Sequence, residues 1–291
     1  VKVTQIKFKK TGLTGDTTLT NVYLYEGVNR LTDSASVSSG YVVFVNSGGI
    51  VTVPAGQTKT VTVKSDILAG TSGQTVGMAV NAAADVVTNG ASVSGSFPVT
   101  GNLQSVASVA DLATVDFLTG GNISPAADGT PNVQNDYMMW QDTMTVGQRA
   151  VDIKSLTFRQ ISSAQVTDLG NFRLYVDGVM VGSAVSQVDA NGYIAFDLSA
   201  TPKRVETGNR VIKLIGDING GSTRKFRISF EQATDIVAVD SSYGVNILAT
   251  ANATTFASVK AAEQTIGSAT FSLNRAADSA SGNVIQGGSA V

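Results

Sequence analysis

The chain of 291 residues contains no histidine and no cysteine. Their absence excludes Ser-His and Cys-His catalysis, thiol redox chemistry and ordinary zinc sites. Charged residues make up only 14% of the sequence, and a formal net charge of −2 supplies no field that would attract nucleic acid or an anionic membrane. No apolar run approaches the roughly 20 residues that span a bilayer. We therefore expect a protein that is not an enzyme, needs no cofactor, binds no nucleic acid and does not insert into a membrane.

Glycine, serine, threonine, valine and alanine are abundant, with 30 glycines but only 5 prolines in the chain. β-Branched residues fit pleated strands, while glycine, asparagine and aspartate fit tight turns. The length predicts about two domains, each large enough to bury a core of its own. The low charge and the many hydroxyl side chains favour an extracellular or cell-surface location.

An internal duplication is the most informative feature of the sequence, because repeats define an architecture before any single element does. Similar segments recur along a whole domain at offsets between 150 and 152 residues. The matched pairs are Val1–Phe8 with Val151–Phe158, Asn21–Gly27 with Asn171–Gly178, Gly40–Phe44 with Gly192–Phe196, Thr60–Ile67 with Val211–Ile218, Ala83–Val87 with Ala233–Val237, and Val106–Val109 with Phe256–Val259. We therefore predict two copies of one domain.

The apolar pattern predicts what each copy is made of. Val76–Val80 and Phe226–Phe230 each place a large apolar side chain at every second position, which is typical of a half-buried strand. In the first strand of both copies this pattern slips by one residue, which predicts a β-bulge near Thr4-Gln5 and another near Lys154-Ser155. No stretch has helical periodicity. We predict an all-β fold of two antiparallel β-sandwiches with connecting and C-terminal extension strands.

The duplication also divides the chain into three segments. Residues 1–110 are expected to form the first sandwich, residues 111–261 a leader followed by the second sandwich, and residues 262–291 a tail that resembles the leader. Within the tail, Ser268–Leu273 repeats the start of the leader, Ala113–Leu118. Because the sequence begins at Val1, we expect the first sandwich to lack a leader strand.

A vacant strand position at one end and a surplus strand at the other favour head-to-tail assembly with further copies of the chain. Docking of one tail onto the next first sandwich would pair backbone groups and cover an apolar face, in a contact that builds a fibre. The predicted interface consists of Val1, Val3, Ile6 and Phe8 on the sandwich and of Phe271, Leu273, Val284 and Ile285 on the tail. The alternative is an excerpt of a longer tandem array, in which the next repeat is covalently joined.

One aromatic cluster, Tyr137, Met138, Met139 and Trp140, falls outside the strands predicted from the pattern. It is a candidate platform for a sugar or for a protein partner. The other interpretation is a contribution to a domain core or to a junction, since methionine and tryptophan fill irregular gaps well.

Asp128, Asn132 and Asp136 are the candidate calcium ligands, because oxygen ligands in a loop suit Ca²⁺. No established calcium-loop motif is present, however, and turn-forming aspartate and asparagine explain the same residues. The two pairs Asp66 and Asp217, and Asp85 and Asp235, occupy equivalent positions before apolar residues. We expect these four aspartates to have roles in turns or at strand edges.

The segments NVYLYEG at Asn21–Gly27, VPAGQTKTVTVKSDI at Val53–Ile67 and VETGNRVIKLIGDI at Val205–Ile218 give the chain a family resemblance. It resembles the tandem immunoglobulin-like β-sandwich repeats of prokaryotic cell-surface proteins, found in surface layers, adhesins and extracellular filaments. The resemblance implies a structural subunit of an extracellular filament or surface layer. It equally allows an adhesin or carbohydrate-binding tandem module whose partners are surface glycans.

Overall fold

The computed structural model describes residues 1–118, 123–252 and 255–268, which form almost only strands and turns. The helices of these residues are short 3₁₀ segments: Asp16–Thr18, Ala83–Asp85, Ala233–Asp235 and Phe256–Ser258. None of them is long and apolar enough to cross a membrane. The predicted all-β fold of two sandwiches is confirmed.

The first sandwich contains ten strands in two sheets. They are β1 (Lys2–Thr11), β2 (Leu19–Glu26), β3 (Asn29–Arg30), β4 (Tyr41–Val45), β5 (Val51–Thr52), β6 (Thr62–Ile67), β7 (Thr75–Val80), β8 (Val86–Thr88), β9 (Val99–Thr100) and β10 (Gln104–Ser105). β1 lies at the centre of the larger sheet, between β4 and β5 on one side and β7 and β8 on the other. β9 and β10 pair with β7. The second sheet has the order β3-β2-β6.

The second sandwich has the same plan with more strands. They are β11 (Thr114–Phe117), β12 (Gln134–Gly147), β13 (Val151–Ile161), β14 (Leu169–Val176), β15 (Val179–Val185), β16 (Tyr193–Asp197), β17 (Lys203–Val205), β18 (Gly208–Ile218), β19 (Lys225–Ser229), β20 (Ile236–Asp240), β21 (Asn246–Ile247), β22 (Thr250–Ala251) and β23 (Gln264–Thr265). One sheet has the order β15-β14-β18-β12-β11-β22. The other places β13 between β16 and β17 on one side and β19 and β20 on the other.

The two sandwiches share local irregularities, as a duplication requires. The register of β1 shifts between Val3 and Gln5, and the register of β13 shifts between Ile153 and Ser155. Both β-bulges lie where the slip of the apolar pattern predicts them, so this prediction is confirmed.

Asp85 and Asp235 close equivalent turns. Oδ2 of Asp85 accepts hydrogen bonds from two backbone N–H groups, those of residues 81 and 82, at 3.1 and 3.0 Å. Oδ2 of Asp235 accepts the two equivalent bonds from residues 231 and 232, both at 2.9 Å. The expected turn role of these two aspartates is confirmed.

One matched pair of the sequence comparison is wrong. β10 pairs with β7 through Gln104, and β23 pairs with the equivalent strand β19 through Gln264. These two glutamines therefore correspond to each other at an offset of 160 residues. The match of Val106–Val109 with Phe256–Val259 at an offset of 150 fails because the second sandwich inserts extra residues before β23, including β22.

Each sandwich has its own hydrophobic cluster, and the clusters differ in how well they are covered. In the first cluster, which extends to Val106, half-buried side chains outnumber fully buried ones. The second cluster begins at Leu112 and consists mostly of fully buried side chains. The boundary between the two clusters, between Val106 and Leu112, thus lies beside the predicted division at residue 110. Ile266, which the sequence division assigned to the tail, packs in the second cluster.

Candidate assembly site

The candidate site begins at an unpaired sheet edge of the first sandwich. β6 pairs with β2 on one side, and no described strand pairs with its other side. Its equivalent in the second sandwich, β18, is paired on both sides, with β14 and with the leader strand β12. An exposed edge presents unpaired backbone N–H and C=O groups to any strand that approaches it. Among the described residues, the first sandwich therefore lacks the strand that β12 provides in the second.

A cleft of about 920 Å³ lies beside this edge, and we call it the β6 groove. One wall is Thr62–Ile67 of β6, and the opposite wall is Val76–Val80 of β7. Residues 233, 234, 236–238 and 246–248 of the second sandwich also line the groove. The two sheets of the first sandwich and the neighbouring second sandwich thus form the walls of an open trough.

Side chains that line the β6 groove are more exposed than their equivalents in the second sandwich. Phe8 is half-buried, whereas its equivalent Phe158 is completely buried. Ile67 is 40% exposed, whereas its equivalent Ile218 is 1% exposed because β12 covers it. Removing apolar surface from water releases roughly 25 cal/mol per Å². Occupation of the groove by an apolar strand is therefore favourable.

Trp140 of β12 shows what a strand in this position contributes. Its indole is completely buried, and its ring centroid lies 5.2 Å from that of Phe158 and 5.2 Å from that of Phe230, both edge to face. In the first sandwich the described ring that packs on Phe8 is Phe44, which lies 6.2 Å away on the neighbouring strand β4 of the same sheet. The groove face of Phe8 has no such partner among the described residues.

A polar contact accompanies the apolar one in the second sandwich. Asn171 has a positive φ of 50°, and its Nδ2 donates a 2.8 Å hydrogen bond to Oδ2 of Asp217. Oδ1 of Asp217 accepts the backbone N–H of Asp136 on β12 at 3.0 Å and Nη2 of Arg173 at 2.8 Å. Burial alone would raise the pKa of Asp217, but these hydrogen bonds and the Arg173 charge hold that pKa below its ordinary value.

The first sandwich contains the same asparagine–aspartate contact, but among the described residues no strand donates a backbone N–H group to it. Asn21 has a φ of 48°, and its Nδ2 donates a 3.1 Å hydrogen bond to Oδ2 of Asp66. No described residue donates a hydrogen bond to Oδ1 of Asp66. Burial raises the pKa of Asp66 above its ordinary value, which the single bond from Asn21 opposes only in part. Asp66 and Asp217 are the penultimate residues of β6 and β18, so both lie near the end of a strand.

A buried arginine joins the two sandwiches. Arg30 of β3 is 2% exposed, and its guanidinium donates to Oδ1 of Asp235 at 3.1 Å, to Glu231 at 2.7 Å and to the hydroxyl of Tyr193 at 2.6 and 3.0 Å. Burial opposes the charge of Arg30, yet Asp235 and Tyr193 raise the pKa of the guanidinium above its ordinary value. Sequence patterns do not show this junction, because a lone arginine in a short hairpin carries no sign of a distant partner.

The predicted assembly residues of the first sandwich do not all lie on the groove. Phe8 lines it, whereas Ile6 is buried in the core and Val3 is half-buried against the core. Val1 is 54% exposed, and its amino group donates to the carbonyl of Val53. Because β1 is paired on both sides, the free edge belongs to β6 instead. The predicted tail residues Phe271, Leu273, Val284 and Ile285 lie outside the described residues.

The aromatic cluster belongs to a strand and not to a loop. Tyr137, Met138, Met139 and Trp140 are all part of β12, and the last two are completely buried. Because the core encloses Met139 and Trp140, these two side chains cannot stack on a sugar, whereas Tyr137 and Met138 are half-buried. The other interpretation, a contribution to the domain core, fits their burial. The half-buried Tyr137 packs edge to face on Phe226.

The candidate calcium ligands have protein partners of their own. Asp128 accepts the backbone N–H of Glu263 at 3.0 Å, and the carboxylate of Asp136 pairs with Arg173. Asn132 lies against Gly267. Within the part of the chain that the structure describes, no three acidic side chains converge as a metal site would require.

No protein-family model matches the chain, and no curated protein matches it. The chain is weakly similar to a crystal structure described as a candidate membrane-anchored protein from Corynebacterium diphtheriae, with 9% identity and a TM-score of 0.23. That match covers 92% of this chain and 59% of the other, so this chain spans about 59% of its length. An anti-sigma factor domain-containing protein matches at 9% identity and a TM-score of 0.17, covering 84% and 77% of the two chains. Such similarities support no functional argument.

Proposed function

We propose that this protein is a non-enzymatic structural subunit of an extracellular filament or surface layer. In this proposal the β6 groove of one chain accepts residues 269–291, the last part of the tail, from a second copy. The observation that carries the proposal is the difference between the two sandwiches: β12 completes the second, while the equivalent edge of the first is unpaired among the described residues.

The tail is the occupant that the chain itself offers. The tail repeats the start of the leader, and the leader is the segment that contains β12, so the same kind of segment would serve both sandwiches. Pairing along the six residues of β6 adds a row of backbone hydrogen bonds, while alternate side chains enter the groove beside Phe8. Because donor and acceptor lie at different places on the chain, the same contact can be repeated from copy to copy, as a filament requires.

The binding-module alternative has less support. Its proposed platform contained Met139 and Trp140, and both are enclosed by the core of the second sandwich. The β6 groove, by contrast, is a trough beside an unpaired sheet edge, which suits an extended peptide.

Deletion of residues 269–291 tests the proposal. The full chain should form larger species as its concentration rises in light scattering, and the deleted chain should stay monomeric because β6 has no strand to accept. A control chain that carries the same 23 tail residues in scrambled order should also stay monomeric. A synthetic peptide of residues 269–291 should bind the deleted chain and shorten the assemblies of the full chain.

Two outcomes would contradict the proposal. One is a full chain that remains monomeric at every concentration. The other is a deleted chain that assembles as well as the full chain, since the tail would then have no part in the contact.

A further inference from the structure

We propose that Asp66 and Asn21 form a binding site for one backbone N–H group of the strand that enters the β6 groove, and that this contact fixes the register of that strand. The inference rests on the proposed function and adds to it the point of recognition. Its ligand is a peptide N–H group at a residue with positive φ, supplied by the tail of a second copy.

The second sandwich supplies the template for this site. Asp217 receives Asn171 from one side and the backbone N–H of Asp136 from the other. Both of these partners lie at bulges, because the register of β14 shifts between Gly170 and Arg173 and that of β12 shifts next to Asp136. One carboxylate on the central strand β18 thus holds a bulge on each neighbouring strand.

The first sandwich has the carboxylate and one of the two bulges. Asn21 lies at a register shift between Thr20 and Val22, with the same positive φ as Asn171. Its side chain occupies Oδ2 of Asp66 and leaves Oδ1, the oxygen that faces the incoming strand in the second sandwich. A charged acceptor beside a free sheet edge makes a strong and directional hydrogen bond with a backbone N–H group.

The tail contains a residue suited to this bond. Asn283-Val284 repeats Asn132-Val133 at an offset of 151, which places Gly287 at the position of Asp136. Asp136 has a φ of 58°, a conformation that glycine adopts without steric cost.

Two differences between the contact in the second sandwich and the proposed contact support the alignment, because they occur as a pair. In the second sandwich Arg173 pairs with the carboxylate of Asp136. In the first sandwich the residue equivalent to Arg173 is Tyr23, which is buried, and the tail residue equivalent to Asp136 is Gly287. The cation and its anion are therefore both absent from the proposed contact, so neither charge is left unpaired.

The site predicts the register of the whole strand. In the second sandwich Gln134 lies opposite Ile218, and Trp140 lies opposite Leu214. With the same offset, Ile285 of the tail lies opposite Ile67 of β6. Val291 then lies opposite Val63 and takes the place of Trp140 over Phe8.

Paired cysteines test this register, and the chain has no cysteine that would interfere. Residues opposite each other on antiparallel strands have Cα atoms about 4.5–5.5 Å apart, which a disulfide can bridge. The double variant Ile67→Cys with Ile285→Cys should therefore form a disulfide on mild oxidation. The control pair Ile67→Cys with Gln286→Cys, shifted by one residue, should link at least about tenfold less.

Variants of the site then test its role. Asp66→Ala should reduce the preference for the in-register pair about tenfold. Asn21→Gly keeps the positive φ and should reduce the preference less, because Asp66 can still accept the N–H group. Equal linking of the two pairs, or an unchanged preference in Asp66→Ala, would overturn the inference.

Non-reducing gel electrophoresis of the cysteine variants shows whether a disulfide joins two chains or lies within one. This result separates failure of the register inference from failure of the proposed function. A disulfide between two chains supports the assembly proposal whatever its register. A disulfide within one chain, or no disulfide in either pair together with a monomeric protein, would contradict assembly itself.

Discussion

The junction between the sandwiches gives a prediction that reaches from one domain to the other. Arg30 belongs to the first sandwich, whereas its acceptors Asp235, Glu231 and Tyr193 belong to the second. Replacing Arg30 by methionine, the residue at the equivalent position 180, keeps most of the apolar stem and removes the charge. Asp235, 1% exposed, then loses its countercharge but keeps its backbone donors from residues 231 and 232.

The expected cost of Arg30→Met is about 3–5 kcal/mol, because removal of one partner leaves a buried charge uncompensated. The single tryptophan, Trp140, reports on the core of the second sandwich alone. Urea unfolding followed by its fluorescence should shift to a lower midpoint, although the substitution lies in the first sandwich. The double variant Arg30→Met with Asp235→Asn should recover part of the loss, since it removes the unpaired charge.

A shift in the Arg30→Met midpoint equivalent to less than about 0.5 kcal/mol would refute this reasoning, because that is the usual size of a surface substitution. Equal losses in the single and double variants would show that the countercharge is not the cause. A matched control is Arg204→Met. Arg204 is exposed and pairs with the exposed Glu206, so its replacement should leave the urea midpoint almost unchanged.

Two further predictions concern matched positions in the sandwiches. Phe158→Ala should lower the free energy of unfolding by about 3–5 kcal/mol, since this ring is completely buried and stacks on Phe230 at 4.3 Å. In the tail-deleted chain, Phe8→Ala should lower it clearly less, because the equivalent ring of Phe8 is half-buried. Similar losses in urea unfolding would contradict the difference in burial. The pKa of Asp217 is lowered in the folded state, so its stabilising effect is full above its unfolded pKa of about 3.9 and is lost as the pH falls through the folded value. The stability difference between the wild type and Asp217→Asn should shrink in urea titrations below about pH 4, and a difference that grows there would contradict the assignment.

Features that depend on local alternation could be predicted from the sequence. The bulges after Val3 and Ile153 were predictable because a one-residue slip moves every later side chain to the other face of a strand. The turn role of Asp85 and Asp235 was predictable because aspartate caps its own backbone two to four residues away.

Features that depend on distant partners could not be predicted in the same way. β12 was missed as a strand because its bulge between Met138 and Trp140 makes neighbouring side chains point inward, and because Asp142 occupies a core position. That carboxylate is accommodated by the backbone N–H groups of Leu118 and Thr143, which no sequence pattern shows.

The match at Val106 was wrong for a related reason. β10 and β23 are equivalent because they pair with the equivalent strands β7 and β19. Their side chains have little similarity by which a sequence comparison could match them. The prediction placed a free strand position beside β1, whereas the unpaired edge among the described residues belongs to β6, because sequence alone does not show which strand is central. The junction residue Arg30 gave no signal, since its partners lie more than 160 residues away in the chain.

The Arg30 junction has a mechanical consequence for a filament built as proposed. Each chain would carry one joint fastened by a buried ion pair, followed by a joint where a strand bridges two chains. At the second kind of joint, the position equivalent to Arg30 is occupied by Met180, which is 42% exposed. A buried ion pair like that of Arg30 therefore cannot form at that position. Bending under load would concentrate at every other joint, and the fibre would behave as a row of stiff rods connected by more compliant hinges.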